Sequence, residues 1–431
     1  MNRAHGRQPA ATEDRGSFVA TDPDTIPQQP LDRVRRDAWD VAVVGAGPAG
    51  TVAACHLARQ GHRVVLLDRQ PFPREKVCGD GLIQDTLGHL DRMGLLGRVR
   101  REAHRVRGVS AFSPSRIEVR AHGDLLLLKR ERLDALLAQG AAAAGAVFCR
   151  AEVRDLRPQT DGGVALAAAD HNSPLRSRIV LIATGARLGL ARRVGGIRTP
   201  PPNAVAVRRY VRSTIHLDRG VCYYAPALVP GYAWLFPVGD GTFNAGCIEF
   251  RPLSGGSGRH LGRAFDRISR ALPLAGDLMR RATHVGPLRY AMLRCASQGA
   301  PPLLAPGVLA AGEAVGTTLP LTGEGVGAAM TSAQIAAEAI HQALAADTLD
   351  PLETYPRRLA TALRPRHLAY AAGQRCLSLP WLNDLVARRA GRGGPVRQLI
   401  DQMLAERPTG RAAALLRWAF TAVARLEAPP R

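Results

Sequence analysis

The 431-residue sequence predicts an α/β fold with an inserted mixed-sheet domain and a helical C-terminal region. Three observations predict it. An apolar run at Asp40–Val44 leads into a glycine-rich turn, a helix-forming stretch TVAACHLARQG and a second apolar run, HRVVLLD, ending at Asp68. That order is a β-α-β unit, and the unbroken apolar runs suit parallel strands buried on both faces. The pattern of strand, glycine-rich turn and long helix returns between residues 301 and 345, so the half that opens near residue 38 is completed only there. Between the two, residues 204–250 hold several short strand candidates with aromatics.

The remaining elements follow in order. Residues 1–37 are polar, rich in Pro, Gln, Arg and Asp, and lack an apolar h-region, so a flexible tail is expected rather than a secretory signal. Residues 38–190 and 291–345 form the expected discontinuous first domain, 191–290 the inserted substrate domain and 346–431 the helical region. GAVFCRAEVRDLRPQ, DGGVALAAAD and SRIVLIATGA read as strands, and the Ala-rich stretch 138–146 as helix. Beyond residue 345, Leu and Ala recur at spacings of three and four, with interruptions at Pro365 and Pro380.

Composition fits a globular chain: 46% apolar and 22% charged residues exclude wholesale disorder. No apolar run reaches the roughly 20 residues that span a bilayer. The 58 basic and 36 acidic residues leave a formal charge of +22, but only Lys76 and Lys129 are lysines, so an arginine bias explains much of it. The residual charge can attract an anionic membrane surface, an acidic protein partner or a phosphorylated substrate; no nucleic acid is expected. Seven cysteines without a CxxC pair indicate neither a disulfide framework nor a zinc site, and no metal is expected. A cytoplasmic location, at most peripheral at a membrane surface, follows as an expectation.

Gly45, Gly47 and Gly50 form GxGxxG directly after the first strand, with Ala49 in the same turn. Gly45 permits the tight turn, Gly47 lets backbone approach a pyrophosphate, and Gly50 allows the helix to pack closely. Alone this would be weak. Here it stands in a β-α-β context with Asp68 at the end of the second strand, placed to accept hydrogen bonds from ribose hydroxyls. A tightly held FAD would occupy this single site permanently, so NAD(P)H or another reductant would visit transiently as electron donor.

Three further segments are more specific: FPREKVCGDGL at 72–82, PGYAWLFPVGDGTFNAG at 230–246 and GVLAAGEAVGTTLPLTGEGVGAAMTSA at 307–333. Together they resemble the geranylgeranyl reductase family of FAD proteins, within the larger group of aromatic hydroxylases and flavin-dependent halogenases. The resemblance covers roughly residues 38–345. It implies an FAD-binding Rossmann-like fold and, in this family, reduction of prenyl double bonds.

Residue by residue, the resemblance implies the following. Gly312, Gly316, Gly323, Gly325 and Gly327 surround a loop feeding a helix, whose backbone can approach a flat ring and its phosphates. The family usually has GDAAG here, its Asp contacting the ribityl and pyrophosphate region; Glu313 replaces it, as a cofactor contact or as a helix-entry acid. Pro320, Leu321, Thr322 and Gly323 carry the pattern that meets the isoalloxazine. Arg130 in RERLDALL matches the family's FAD-contacting arginine, and Asp134 would hold its helix in place. Cys78 stands where the reductases place a cysteine near the flavin, and neighbouring Arg74 or Lys76 would favour a thiolate; a buried space-filler explains it as well. Asp80 serves either acid chemistry or turn formation. Tyr232, Trp234 and Phe236 share one face of a strand. Core packing explains that alternation, while the family uses its YxWxFP segment to border the cavity for an isoprenoid or other apolar substrate.

Departures count against the neighbouring chemistries. The halogenases commonly carry GWxWxIP where this chain reads GYAWLFP, and the hydroxylases an Asp-Gly motif where it reads IATGARLG. The leading expectation is therefore an FAD-dependent reductase acting on a prenyl lipid or prenylated quinone. The alternative is an FAD-dependent monooxygenase acting on a natural product, aromatic compound or peptide side chain. A flavin-bearing scaffold without turnover is the third.

Overall fold

The computed structural model describes residues 26–160, 162–169, 173–250 and 259–404; the rest of the expected N-terminal tail and of the helical C-terminal region lies outside the described residues. The first sheet is built on parallel strands in the order Val308–Ala310, Leu175–Ile182, Trp39–Val44, Val64–Asp68 and Val147–Arg150. Val41, Val43, Val65, Val180 and Leu181 are fully buried, since a parallel sheet covered on both faces leaves no solvent side for alternation to mark. The strands Val153–Pro158 and Val164–Ala168 add an antiparallel meander at Leu175–Ile182.

Helices Pro48–Arg59 and Val326–Ala346 lie against each other and face each other with small residues, so their backbones come close. A methyl group at Gly312 would lie 2.8 Å from Ala49 Cβ and 3.5 Å from Ala329 Cβ, which shows how tightly the loop after Val308–Ala310 is held between them. Residues 26–37 are also packed here: Ile26 and Val34 are buried, and the Trp39 indole donates to the Val34 carbonyl at 2.7 Å.

The second sheet has nine strands and is mixed. Its path runs Ala282–Val285, Ala204–Ser213, Thr242–Phe250, Tyr232–Gly239, Gly220–Tyr223, His104–Phe112, Glu118–Leu127 and Gly81–Leu82, with Arg289–Leu293 also on Ala204–Ser213. Gly220–Tyr223 runs parallel to His104–Phe112, and the other pairs are antiparallel. Three strands thus come from residues 81–127, which the sequence reading grouped with the first domain.

Alternation divides this sheet cleanly. Val205, Val207, Leu235, Phe243, Ala245 and Cys247 join the apolar cluster with Leu261, Phe265 and Leu278 of helices Arg259–Ala271 and Pro273–Arg280. The opposite face carries three cross-strand rows: Ala206, Ile248 and Tyr232; Arg208, Gly246 and Trp234; Tyr210, Asn244 and Phe236. In sheets such rows are the unit of side-chain interaction.

The C-terminal region is helical, at Thr354–Ser378, Pro380–Gly391 and Pro395–Leu404. Pro380 opens its helix, where a missing N–H costs nothing. Pro365 corrects the sequence reading, since Thr354–Ser378 runs through it. Tyr355, Leu359, Leu363, His367 and Tyr370 form a buried stripe at spacings of four and three, and this burial offsets the roughly 3 kcal/mol an interior proline costs. Among the described residues, no helix is long and apolar enough to cross a membrane, and no group of three or more His, Cys, Asp or Glu is placed to hold a metal ion.

Two predictions follow from this packing. A Cβ at Gly246 would lie 2.3 Å from Trp234 Cζ2 and 2.5 Å from the Val207 carbonyl, so Gly246→Ala should destabilise the fold by about 1–3 kcal/mol in urea titration, the range for overpacking. His89 is buried on helix Gln84–Arg92, with Nε2 2.9 Å from Thr331 Oγ1 and Nδ1 accepting from Arg92, and burial followed by the Arg92 charge pushes its pKa down to about 4. The unfolded chain, titrating near 6.5, binds the extra proton first, so this contribution is complete above pH 6.5 and is lost as pH falls to 4. His89→Gln should flatten that part of the stability profile, by an amount on the order of 3 kcal/mol.

Candidate active site

The nucleotide turn is fixed by backbone clearance. Gly45 has φ of 109°, and a Cβ there would lie 2.4 Å from the Ala183 carbonyl; one at Gly50 would lie 1.8 Å from the Gly45 carbonyl. Gly47 caps helix Pro48–Arg59, and the nearest atom to its would-be Cβ is the Arg74 guanidinium at 3.7 Å. An open approach, a helix N-terminus and a cation suit the pyrophosphate of FAD. Asp68 accepts from the Ala46 N–H at 2.8 Å through Oδ2 and from the Gln70 N–H at 3.0 Å through Oδ1, so its carboxylate stands at the mouth of the turn.

Arg74 was read from sequence only as a neighbour of Cys78. Its Nη2 donates to the Ala46 carbonyl at 3.3 Å and lies 3.8 Å from Asp68 and 3.3 Å from Asp134. Asp134 in turn takes Arg130 Nε and Nη2 on its two oxygens at 2.7 and 2.8 Å, a bidentate pair inside helix Arg130–Ala143. Asp134 thus holds Arg130 directly. The Arg130 charge also acts on the Cys78 thiol, which is partly buried. Burial works against the charge of Arg130, yet Asp134 and Cys78 hold its pKa above the ordinary value. For Cys78 burial dominates and raises the thiol pKa, with Arg130 pulling the other way.

Asp80 is fully buried, at a φ of 66° that Asp tolerates better than most residues. Its Oδ1 accepts from the Arg130 N–H at 3.2 Å, and its Oδ2 from Tyr210 OH and Asn244 Nδ2, both at 2.7 Å. Burial raises its pKa; the Tyr210 and Asn244 hydrogen bonds oppose this. Asn244 also donates to the Cys78 carbonyl at 2.7 Å and accepts from Trp234 Nε1 at 3.0 Å. One amide therefore ties the thiol loop to the indole.

Tyr232, Trp234 and Phe236 line up along one strand face, with ring centroids 6.1 and 6.5 Å apart. A Cβ at Gly79 would touch Phe236 at 3.4 Å, and Tyr232 OH donates to the Thr322 carbonyl. The aromatic row thus meets the Cys78 loop at one end and the 320–325 loop at the other. That second loop turns at Pro320–Thr322, has positive φ at Leu321 and Gly323, and ends at Gly325, the cap of helix Val326–Ala346. Gly323 has Ile248 of the same sheet face 2.8 Å from its would-be Cβ. Glu313 lies apart from this group: its Oε1 accepts from the Arg294 N–H at 3.2 Å, and its Oε2 is 3.7 Å from the would-be Cβ of Gly185.

Sequence reasoning named Arg74 only beside Cys78 and missed three groups in this neighbourhood. Tyr210 sits in no recognised local pattern, and Asn244 and Glu324 lie inside recognised segments without having been singled out. Glu324 Oε1 accepts from the Gly327 N–H at 2.9 Å and Oε2 has no partner among the described residues; burial raises its pKa.

An FAD-binding-domain model matches residues 38–363. A menaquinone reductase of Mycolicibacterium smegmatis is 30% identical over 69% of this chain and 75% of its own length. A digeranylgeranylglycerophospholipid reductase of Methanothermobacter thermautotrophicus is 29% identical over 72% of this chain and 80% of its own. Among solved structures, a flavin-dependent brominase superposes with a TM-score of 0.74 at 19% identity, covering 91% of this chain and 100% of that one, which shows a shared fold. Its glycine turn, its two clamped sheets and these matches together show that the chain belongs to the FAD-binding-domain family, as a flavin-dependent oxidoreductase related to the geranylgeranyl and menaquinone reductases.

Proposed function

We propose that this flavoenzyme saturates carbon–carbon double bonds in a prenyl chain carried by a lipid or quinone. The observation that carries the reading is the partly buried Cys78 thiol, on a loop that meets an apolar row of Tyr232, Trp234 and Phe236. A hydrocarbon chain lies well on such a row, and a raised thiol pKa keeps a proton available at neutral pH. The names of the relatives agree with a prenylated substrate.

Bound FAD, once reduced, supplies the hydride. Gly45, Gly47, Ala49, Gly50 and Asp68 would hold its adenosine and pyrophosphate, with Arg74 as counter-charge. Pro320, Thr322, Gly323 and Gly325 would give it a backbone bed, Arg130 would contact it beside Cys78, and Glu313 would border its outer part. NAD(P)H or another transient reductant would recharge it. Cys78 gives its proton to the alkene carbon next to the one that takes the hydride. The aromatic row sets which double bond sits there and excludes water, which matters because an unactivated alkene reacts only when closely positioned.

The test is product mass after flavin-loaded protein, a reductant and prenyl lipid are incubated with and without oxygen. Repeated gains of about 2 Da without oxygen support the reading, whereas an oxygen-dependent gain of about 16 Da assigns a monooxygenase. Cys78→Ser should retain the flavin spectrum while turnover falls by about 100-fold or more, the scale of a lost general acid.

A further inference from the structure

Helix Pro380–Gly391 has two opposed stripes. Asn383, Ala387 and Ala390 are buried, and the two alanines pack on Val119 of strand Glu118–Leu127, with Ile117, Val396 and Ile400 around them. Asp384 pins the same helix to the turn between strands His104–Phe112 and Glu118–Leu127. Its carboxylate accepts from the Ser113 hydroxyl at 2.6 Å and from the Ser115 N–H and hydroxyl at 2.9 and 2.6 Å. At about 100° per residue, Trp381, Leu385, Arg388 and Arg389 share a stripe half a turn away from the buried one. Trp381 is 64% and Leu385 43% exposed, and both arginines are exposed.

Tryptophan is highly buried on average, so one this open on a helix held from behind calls for an occupant. Charge says which. Residues 364–392 carry six arginines against one acid, Asp384, whose carboxylate is turned to Ser113 and Ser115. The preceding helix repeats the pattern: Leu368, 60% exposed, stands between exposed Arg364 and Arg375 at spacings of four and seven. Large apolar side chains set among arginines match a surface that is anionic outside and apolar beneath. Guanidinium groups meet headgroup phosphates there, their stems lie along the apolar layer, and an indole sits at the boundary.

The stripe is also continuous with the aromatic row. Beyond Tyr232 the row has a fourth ring, Tyr224, at a centroid distance of 5.7 Å. Tyr224 packs in one apolar cluster with Leu319, Leu321, Tyr370 and Leu377, the last two from helix Thr354–Ser378. Asn383 Nδ2 reaches back to the Leu377 carbonyl at 3.4 Å, and Trp381 follows Leu377 by four residues. Four rings and a leucine therefore lead from the Cys78 loop to the segment that bears the exposed tryptophan.

We propose that the outward stripe of helix Pro380–Gly391 docks on an anionic lipid bilayer, and that prenyl chains pass from this bilayer onto the row at its Tyr224 end. The second half rests on the prenyl-reduction reading; the first does not. Among the described residues no helix is long and apolar enough to cross a membrane, so the contact is peripheral. Trp381 and Leu385 enter the interface, Arg388 and Arg389 meet lipid phosphates, and binding scales with the inserted apolar area plus the attraction of anionic lipid.

Flotation of the full-length, flavin-loaded protein tests docking without any turnover. The protein should float with phosphatidylcholine vesicles containing about one-third phosphatidylglycerol, less at raised salt, and little with phosphatidylcholine alone. Trp381→Ser with Leu385→Ser should lower partitioning by about 10-fold or more, and Arg388→Gln with Arg389→Gln by about fivefold per charge, with flavin spectrum and melting temperature unchanged. Absence of flotation, equal flotation on both vesicle types, or flotation that neither pair weakens overturns the docking. So does a dimer that Trp381→Ser abolishes in protein that does not float, because a second copy then occupies the stripe. For delivery, Trp381→Ser with Leu385→Ser should slow saturation of vesicle-borne prenyl lipid by about 10-fold or more and leave the rate on the same lipid in detergent unchanged. An unchanged rate on vesicles, or an equal loss in detergent, overturns delivery. If no saturated product forms in either medium, the alkene reading and delivery fall together, and flotation still decides the docking.

Discussion

A buried carboxylate must be satisfied where it stands, and Asp80 is satisfied by three elements at once. It takes the Tyr210 hydroxyl and the Asn244 amide from adjacent strands of the second sheet, and the N–H of Arg130 from the start of a helix packed under the first. Leaving such a group without partners costs several kcal/mol, so the loop 78–80 is held in one position relative to both sheets. The place of Cys78 and the seat of Trp234 both follow from it, the latter through the second hydrogen bond of Asn244.

A second line of charge runs from the glycine turn: Asp68, Arg74, Asp134 and Arg130. Buried ion pairs are weak contributors to stability, because desolvation takes back much of the Coulomb energy. Their value here is positional. The bidentate Arg130–Asp134 pair fixes the guanidinium plane, and Arg74 joins that pair to the Gly45–Gly50 turn. The glycine turn and the start of helix Arg130–Ala143 are thereby placed relative to each other by side chains as well as by backbone.

What could be read from sequence was local. Gly45, Gly47, Gly50 and Asp68 lie within one β-α-β unit, and Tyr232, Trp234 and Phe236 within one strand, so spacing alone revealed their grouping. Asn244 and Tyr210 lie 164 and 130 residues from Asp80, and although Asn244 falls within the 230–246 segment, spacing does not reveal that either side chain reaches Asp80. The parallel pairing of Gly220–Tyr223 with His104–Phe112 was equally hidden, since periodicity marks a strand without naming its neighbour. Pro365 misled for a related reason: local propensity argued for a break, and a buried stripe formed by tertiary contacts overrode it.

The fold is shared with a flavin-dependent brominase, so the chemistry rests on what the site offers: an aromatic row and, beside it, a thiol whose pKa burial raises. The central claim is that electrons pass directly from the reduced cofactor to an alkene. Its most direct measurement is the return of the oxidised flavin absorbance when anaerobically reduced protein is mixed with polyprenyl lipid in a stopped-flow cell. Reoxidation whose rate rises with lipid concentration in the absence of oxygen is the expected result; a flavin that stays reduced until oxygen is admitted contradicts the account.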